Sequence, residues 1–185
     1  ILEFAKANAE KAGFQNVETV TADGEALPFA ADSFDAAVCR LGLMFLPDPL
    51  QGLQEIHRVL KTDARLCTLV FSGIETNPCL RILMSTAQEH AGLPPADPYR
   101  PGSLVSLGKP GHMEGLFIEA GFRDCVTTRV SAPFTLPSAR AYLDFIRSSA
   151  APVMHILARL DEAAQQDALA EMEARLLVFN TGASW

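Results

Sequence analysis

The chain predicts an α/β fold: a doubly wound sheet of mostly parallel strands, closed at its C-terminal end by a helical cover. Three observations carry that expectation. Two apolar runs, Val17 to Ala22 and Phe34 to Cys39, stop at turn residues, Asp23-Gly24-Glu25 and Arg40-Leu41-Gly42. Apolar runs of this length bounded by turns fit strands covered on both faces. After the second run, a helical stripe and a third apolar run, Leu66 to Phe71, follow with short links, and strand-helix-strand in that order reads as a right-handed parallel crossover.

Taken in order, Ile1, Phe4, Ala5 and Ala12 give a helical stripe that Gly13 closes as a left-handed cap. The strand Val17–Ala22 follows, then the short loop Leu27-Pro28-Phe29, and Asp32-Ser33 turns the chain into the second strand. The next helix is well marked. Asp48 can cap its first turn, Pro49 suits the first helical position and Gln51 has capping-box spacing, while Leu50, Leu53, Ile56 and Leu60 form its buried stripe. A turn at Thr62-Asp63-Ala64 leads to the third strand. A helical patch at Leu80–Ala91 precedes Gly92 to Gly111, whose prolines and glycines suit a loop or lid. A helix from His112 to Ala120, capped by Gly121, and a strand near Cys125–Val130 come next. Beyond Pro137 the chain turns helical at Ser138–Ser148, Val153–Leu160 and Ala163–Phe179. We expect one domain, with residues 1–136 as α/β core and 137–185 as a helical cover over the ligand side.

Composition narrows the function. An apolar fraction of 49% and a charged fraction of 20% suit an ordinary globular domain. A net charge of -7 without clustered Lys or Arg argues against nucleic-acid binding. No apolar run approaches the ~20 residues of a membrane span, and no signal-peptide pattern is present. The four scattered cysteines, without a CxxC, suit reduced thiols in a cytoplasmic protein. No HEXXH, Cys/His pair or carboxylate cluster suggests a metal.

The chemistry concentrates between Thr21 and Asp48. In open α/β sheets, ligands bind beyond the carboxyl ends of the strands, and two loops arrive there. The run Asp23-Gly24-Glu25-Ala26-Leu27-Pro28-Phe29, then Ser33-Phe34-Asp35, an apolar strand, and Leu53-Gln54-Glu55-Ile56-His57-Arg58-Val59-Leu60-Lys61 resembles the class I S-adenosylmethionine-dependent methyltransferases. It is most similar to the small-molecule branch that includes the quinone-biosynthesis C-methyltransferases. The resemblance runs from about Ile1 to Phe134 and is densest between Ala22 and Leu66.

That resemblance implies an incomplete Rossmann-like fold, S-adenosyl-L-methionine as cofactor, and methyl transfer to a small, fairly apolar acceptor. It implies that Asp23 accepts a hydrogen bond from the adenine amino group and that the backbone of Gly24, Glu25 and Ala26 meets the ring edge. Asp23 alone would serve equally as a turn cap. Arg40, Leu41 and Gly42 correspond to positions lining the methionine arm and the transfer space. Leu43, Met44 and Phe45 would make an apolar wall, with Met44 and Phe45 on the acceptor side, although core packing is the plain alternative for them. A charge at the end of a buried strand wants a partner, and Glu25 is one for Arg40. Transfer from a sulfonium needs alignment and exclusion of water, and some acceptors need a base. His112, before a helix, is the histidine placed to serve, although a solvated or core side chain is the plainer alternative for each histidine here. His57 flanks the apolar stripe and His90 faces outward.

Three departures matter. The Gly-x-Gly strand-loop and the following acid-ended strand of that family have no counterpart here, since Ile1-Leu2 aligns just after them. Phe179-Asn180-Thr181-Gly182 resembles the lead-in to a last strand. Thr62-Asp63-Ala64 stands where relatives carry Pro-Gly-Gly. We therefore expect an incomplete form with little or no cofactor affinity or activity by itself, and a homodimer through exposed strand edges. A non-catalytic, methyltransferase-like interaction module is the alternative.

Overall fold

A computed structural model describes every residue except Phe134, Ala150, Ala183 and Ser184. Phe134, where the sequence resemblance ends, thus lies outside the described residues. The chain forms two compact units: Ile1–Val70 with Gly111–Cys125, and Phe71–Pro110 with Val126–Trp185.

The first unit holds the predicted crossover. Helix α1 spans Leu2–Lys11. Its end is the expected glycine cap: Gly13 has φ +82°, with Gly13 N–H bonded to Glu10 O and Phe14 N–H to Ala9 O. The predicted stripe is uncovered, however, and no α1 residue is buried. Strand β1 (Phe34–Arg40), helix α2 (Pro49–Val59) and strand β2 (Leu60–Leu69) follow, and β1 and β2 pair in parallel. The Asp48-Pro49 start is as expected, with Asp48 accepting from Leu50 N–H and Gln51 N–H.

Strand β2 begins earlier than the apolar run does, directly at the end of α2. Phe34 lies opposite Leu60, whereas Ala36 lies opposite Arg65. The expected turn at Thr62-Asp63-Ala64 is therefore absorbed as a bulge inside the strand, with Asp63 at φ +64°. Aspartate tolerates that left-handed conformation better than most residues. Helix α4, His112–Glu119, belongs to this unit and packs beside α2, with the His57 and Phe122 rings edge to face at 5.0 Å.

Two predicted strands do not form. Val17–Ala22 is irregular, apart from an isolated bridge between Asp23 and Ala26 just beyond it. Cys125–Val130 is irregular as well. Among the described residues the sheet has two strands. A strand is held by the ladder it makes with a neighbour, and neither segment has one. The same cause corrects the expectation of burial on both faces: Val38 is 77% exposed and Leu69 46%.

The second unit is built from helices α3 (Pro78–His90), α5 (Ala139–Ser149), α6 (Ala151–Leu157) and α7 (Glu162–Leu176). Leu83, Leu143, Leu157, Met172 and Leu176 form its fully buried centre. Trp185 closes it, stacked on Tyr142 at 4.9 Å and donating its indole N–H to Leu176 O at 2.7 Å. Burial pushes the Tyr142 hydroxyl up to about 12. Backbone bonds in both directions join Trp185 to Leu136. His90, expected to face outward, instead lies half-buried with Nε2 2.7 Å from Glu171 on α7. Arg175 extends that tie to Glu89, Glu171 and the buried hydroxyl of Thr86.

Candidate functional site

Asp23 sits at a tight exposed turn. Its Oδ1 accepts the Glu25 N–H at 2.9 Å, and its carbonyl accepts the Ala26 N–H at 3.2 Å. The turn-capping role therefore belongs to Asp23 in this structure, and the amides of Glu25 and Ala26 serve the turn itself. Oδ2 takes no bond among the described residues.

Glu25 does something its sequence position did not announce. Its Oε1 accepts the backbone N–H of Asp48 at 2.7 Å, across 23 residues. That is the reciprocal bond of a capping box, which the spacing had assigned to Gln51. Gln51 instead reaches the Glu25 carbonyl at 3.4 Å. Glu25 therefore does not pair with Arg40, and no ion pair joins them among the described residues.

The rest of this loop is clamped to α2. Glu55 Oε2 accepts the Leu27 N–H at 2.8 Å, while Arg58 donates to Leu27 O at 3.0 Å and Phe29 O at 2.8 Å. The two side chains lie one helical turn apart and bond to each other twice, at 2.7 and 2.8 Å. The Arg58 bonds first, and the Leu27 N–H second, hold the Glu55 carboxyl down at about 2. The guanidinium is pushed up by the same pairing. Glu55 and Arg58 hold this loop in place, and in the sequence they stand only as part of the motif. Their spacing of three put both heads on one side of the helix, but nothing local showed that this side meets Leu27 and Phe29.

The second loop leaves β1 at Arg40, which lies opposite Leu69 and is exposed. Leu41 still bonds to Leu69 O, at 2.8 Å, but with φ +57°. A leucine in the left-handed region stores on the order of 1–3 kcal/mol of strain, and such strain gathers at ligand clamps and active sites. Gly42 sits close to its own strand, where a Cβ would lie 3.2 Å from Cys39 Sγ. A 3-10 turn at Leu43–Phe45 follows. Leu43 and Met44 are fully buried, so of the expected wall only Phe45, 55% exposed, is accessible.

The two loops meet at Leu46. A Cβ on Gly24 would come within 3.0 Å of its Cδ2, and one on Gly52 within 2.2 Å of its Cδ1. Neither glycine has a positive φ; their lack of a side chain makes room for Leu46. Gly24 and Glu25 thus contact Leu46 and Asp48, and the structure brings the two predicted loops together. It shows no contact from Asp23 to Arg40. His112 is the exposed first residue of α4, with no bond or ring contact to either loop among the described residues. A shallow cleft of about 320 Å³ near the end of α1, lined by residues such as Lys6, Phe14 and Val17, contains none of these groups. Among the described residues no cluster of three or more His, Cys, Asp or Glu could hold a metal, and no helix is long and apolar enough to cross a membrane.

Residues 1–68 match the family model described as a methyltransferase domain. The chain is similar to the ubiquinone/menaquinone biosynthesis C-methyltransferase UbiE of Rhizobium meliloti, 41% identical over 76 residues. That match covers 40% of this chain and 30% of the relative. It is also similar to a demethylmenaquinone methyltransferase of Corynebacterium kroppenstedtii, 41% identical over 87 residues, covering 42% of this chain and 38% of that one. The matches thus span about a third of the length of these curated relatives. Two solved structures share the fold over 90% of the chain: the YcgJ protein of Bacillus subtilis (TM-score 0.51, 20% identical, 67% of that chain) and a putative methyltransferase of Bacillus halodurans (TM-score 0.52, 19% identical, 68% of that chain). The motif order, the parallel crossover and these matches agree: residues 1–68 match a methyltransferase domain, and the chain is similar to quinone-biosynthesis methyltransferases over about two fifths of its length.

Proposed function

We propose that the chain takes part in methyl transfer from S-adenosyl-L-methionine to a small, fairly apolar acceptor. The observation that carries this reading is the clamped pair of loops. The Asp23–Ala26 turn is fixed to the start of α2 by Glu25, and Leu46 ties it to the loop that leaves β1.

The residues fit the cofactor. Asp23 keeps one carboxylate oxygen outside the turn, suited to an adenine amino group. Arg40, Leu41 and Gly42 leave a parallel strand through a strained backbone, suited to the methionine arm. Bound there, S-adenosyl-L-methionine would supply a methyl group already activated by its sulfonium. The protein's work is then alignment and exclusion of water. Phe45 offers apolar surface on the acceptor side, Met44 supports it from the core, and His112 is the candidate base for an acceptor that needs one. The test is a titration with S-adenosylhomocysteine followed by amide chemical shifts. The expected result is a perturbed set centred on Gly24–Ala26 and Arg40–Gly42. A set centred elsewhere would favour a non-catalytic module.

We also propose that two copies associate through the open sheet edges, which a two-stranded sheet with one unpaired edge on each strand among the described residues supports. Light scattering giving a dimer mass is the expected outcome, and a monodisperse monomer would overturn it.

A further inference from the structure

The segment that follows β2 carries a construction the methyl-transfer loops do not use. Tyr99, in the Pro/Gly-rich loop, donates its hydroxyl to Glu75 Oε2 at 2.5 Å. The ammonium of Lys109 stands 4.8 Å from the centre of the same ring. One phenol is thus held at its hydroxyl by a carboxylate and at its face by a cation.

Two glycines make room for it. Gly73 has φ -56°, a conformation open to any residue, so only space explains a glycine there. A Cβ at Gly73 would lie 2.6 Å from Glu75 Oε2 and 2.7 Å from Tyr99 Oη, inside the bond itself. A Cβ at Gly108 would strike the backbone of 71–73 at 2.6 to 2.8 Å. The floor is rigid: the Asn77 amide donates to Ser72 O and Gly73 O at 2.9 and 3.0 Å. The loop is anchored separately by the buried Val105 and Leu107. The phenol's bond holds the Glu75 carboxyl below its usual range and the Tyr99 hydroxyl above its own.

We propose that Glu75, Lys109 and the Gly73 backbone form a binding place for a hydroxyl-bearing aromatic ring, and that Tyr99 occupies it as an internal stand-in. A ring that binds there must displace Tyr99 from Glu75. In the ligand-free chain the bond then acts as a latch on residues 99–108.

The test uses 4-methylphenol, the tyrosine side chain as a free molecule, against Tyr99→Ala. The expected result is saturable shifts at the Gly73 and Gly108 amides in the variant, at concentrations that leave the parent unmoved. Toluene should bind at least tenfold more weakly, and adding Glu75→Ala should abolish the preference. Equal binding of both probes, equal response of parent and variant, or no binding to a folded variant would overturn the proposal. Should Tyr99→Ala fail to fold, Tyr99→Phe removes only the hydroxyl. Amide exchange across 100–108 should then quicken about tenfold, and unchanged exchange would count against the latch. Neither probe involves the cofactor, so failure here leaves the S-adenosylhomocysteine titration to judge methyl transfer alone.

Discussion

The two units are stabilised by different means. The helical unit has a continuous apolar centre, from Leu83 through Leu143, Leu157 and Met172 to Trp185. The α/β unit leaves much of its apolar surface open, with Phe4 76%, Val20 49% and Val38 77% exposed. Its site loops are held by directed polar bonds instead: Glu25 to Asp48, Glu55 to Leu27, and Arg58 to Leu27 and Phe29. Apolar burial fixes how much stability a unit has, because it scales with area. Polar bonds with defined donors and acceptors fix where a loop lies. The loop read as cofactor-binding is held in the second way.

That contrast can be broken from either side. The largest effect belongs to the helical core. Leu83→Ala, at a position with no exposure, is expected to cost about 2–5 kcal/mol in denaturant unfolding while leaving the amide shifts of residues 23–29 unmoved. A cost below about 1 kcal/mol would deny that this cluster is the main core. Next comes the cap. Asp48→Ala removes two acceptor bonds at the start of α2 and is expected to cost about 1 kcal/mol. Unlike the core variant, it should shift the Glu25 and Gly24 amides.

The smallest effect is visible only in acid. Glu55 is held at about 2 in the folded chain, against an ordinary 4.5. A depressed carboxyl contributes stability that is fully present above 4.5 and is lost as pH falls toward about 2. The Leu27 amide should therefore titrate with a midpoint near 2, and Glu55→Gln should remove that transition. A Leu27 midpoint near 4.5 would show that the clamp is absent in solution.

What was legible in the sequence was local. Strand β1, helix α2 and the parallel crossover were marked by an apolar run and by Asp48-Pro49, signals read within a few residues. The glycine caps at Gly13 and Gly121, both with positive φ, were visible for the same reason. Val17–Ala22 was misread because its composition suits a strand, whereas a strand exists only through a neighbour's ladder. Glu25 was misjudged because its partner, Asp48, is remote in sequence and is reached through a backbone N–H, which carries no sequence signal. His90 was misplaced because its partner Glu171 lies 81 residues on. Tyr99 and Glu75 carry no local signal for each other, being separated by helix α3 and a loop with no periodicity.

The most direct measurement is calorimetry of S-adenosylhomocysteine binding by the complete chain, with the glycine-rich strand-loop of its relatives, and by its Asp23→Ala variant. A hydrogen bond to a charged group contributes about 1.5–3 kcal/mol, so losing the carboxylate should weaken Kd about tenfold or more. An unchanged Kd would contradict the assignment of the Asp23 turn as the nucleoside-holding loop.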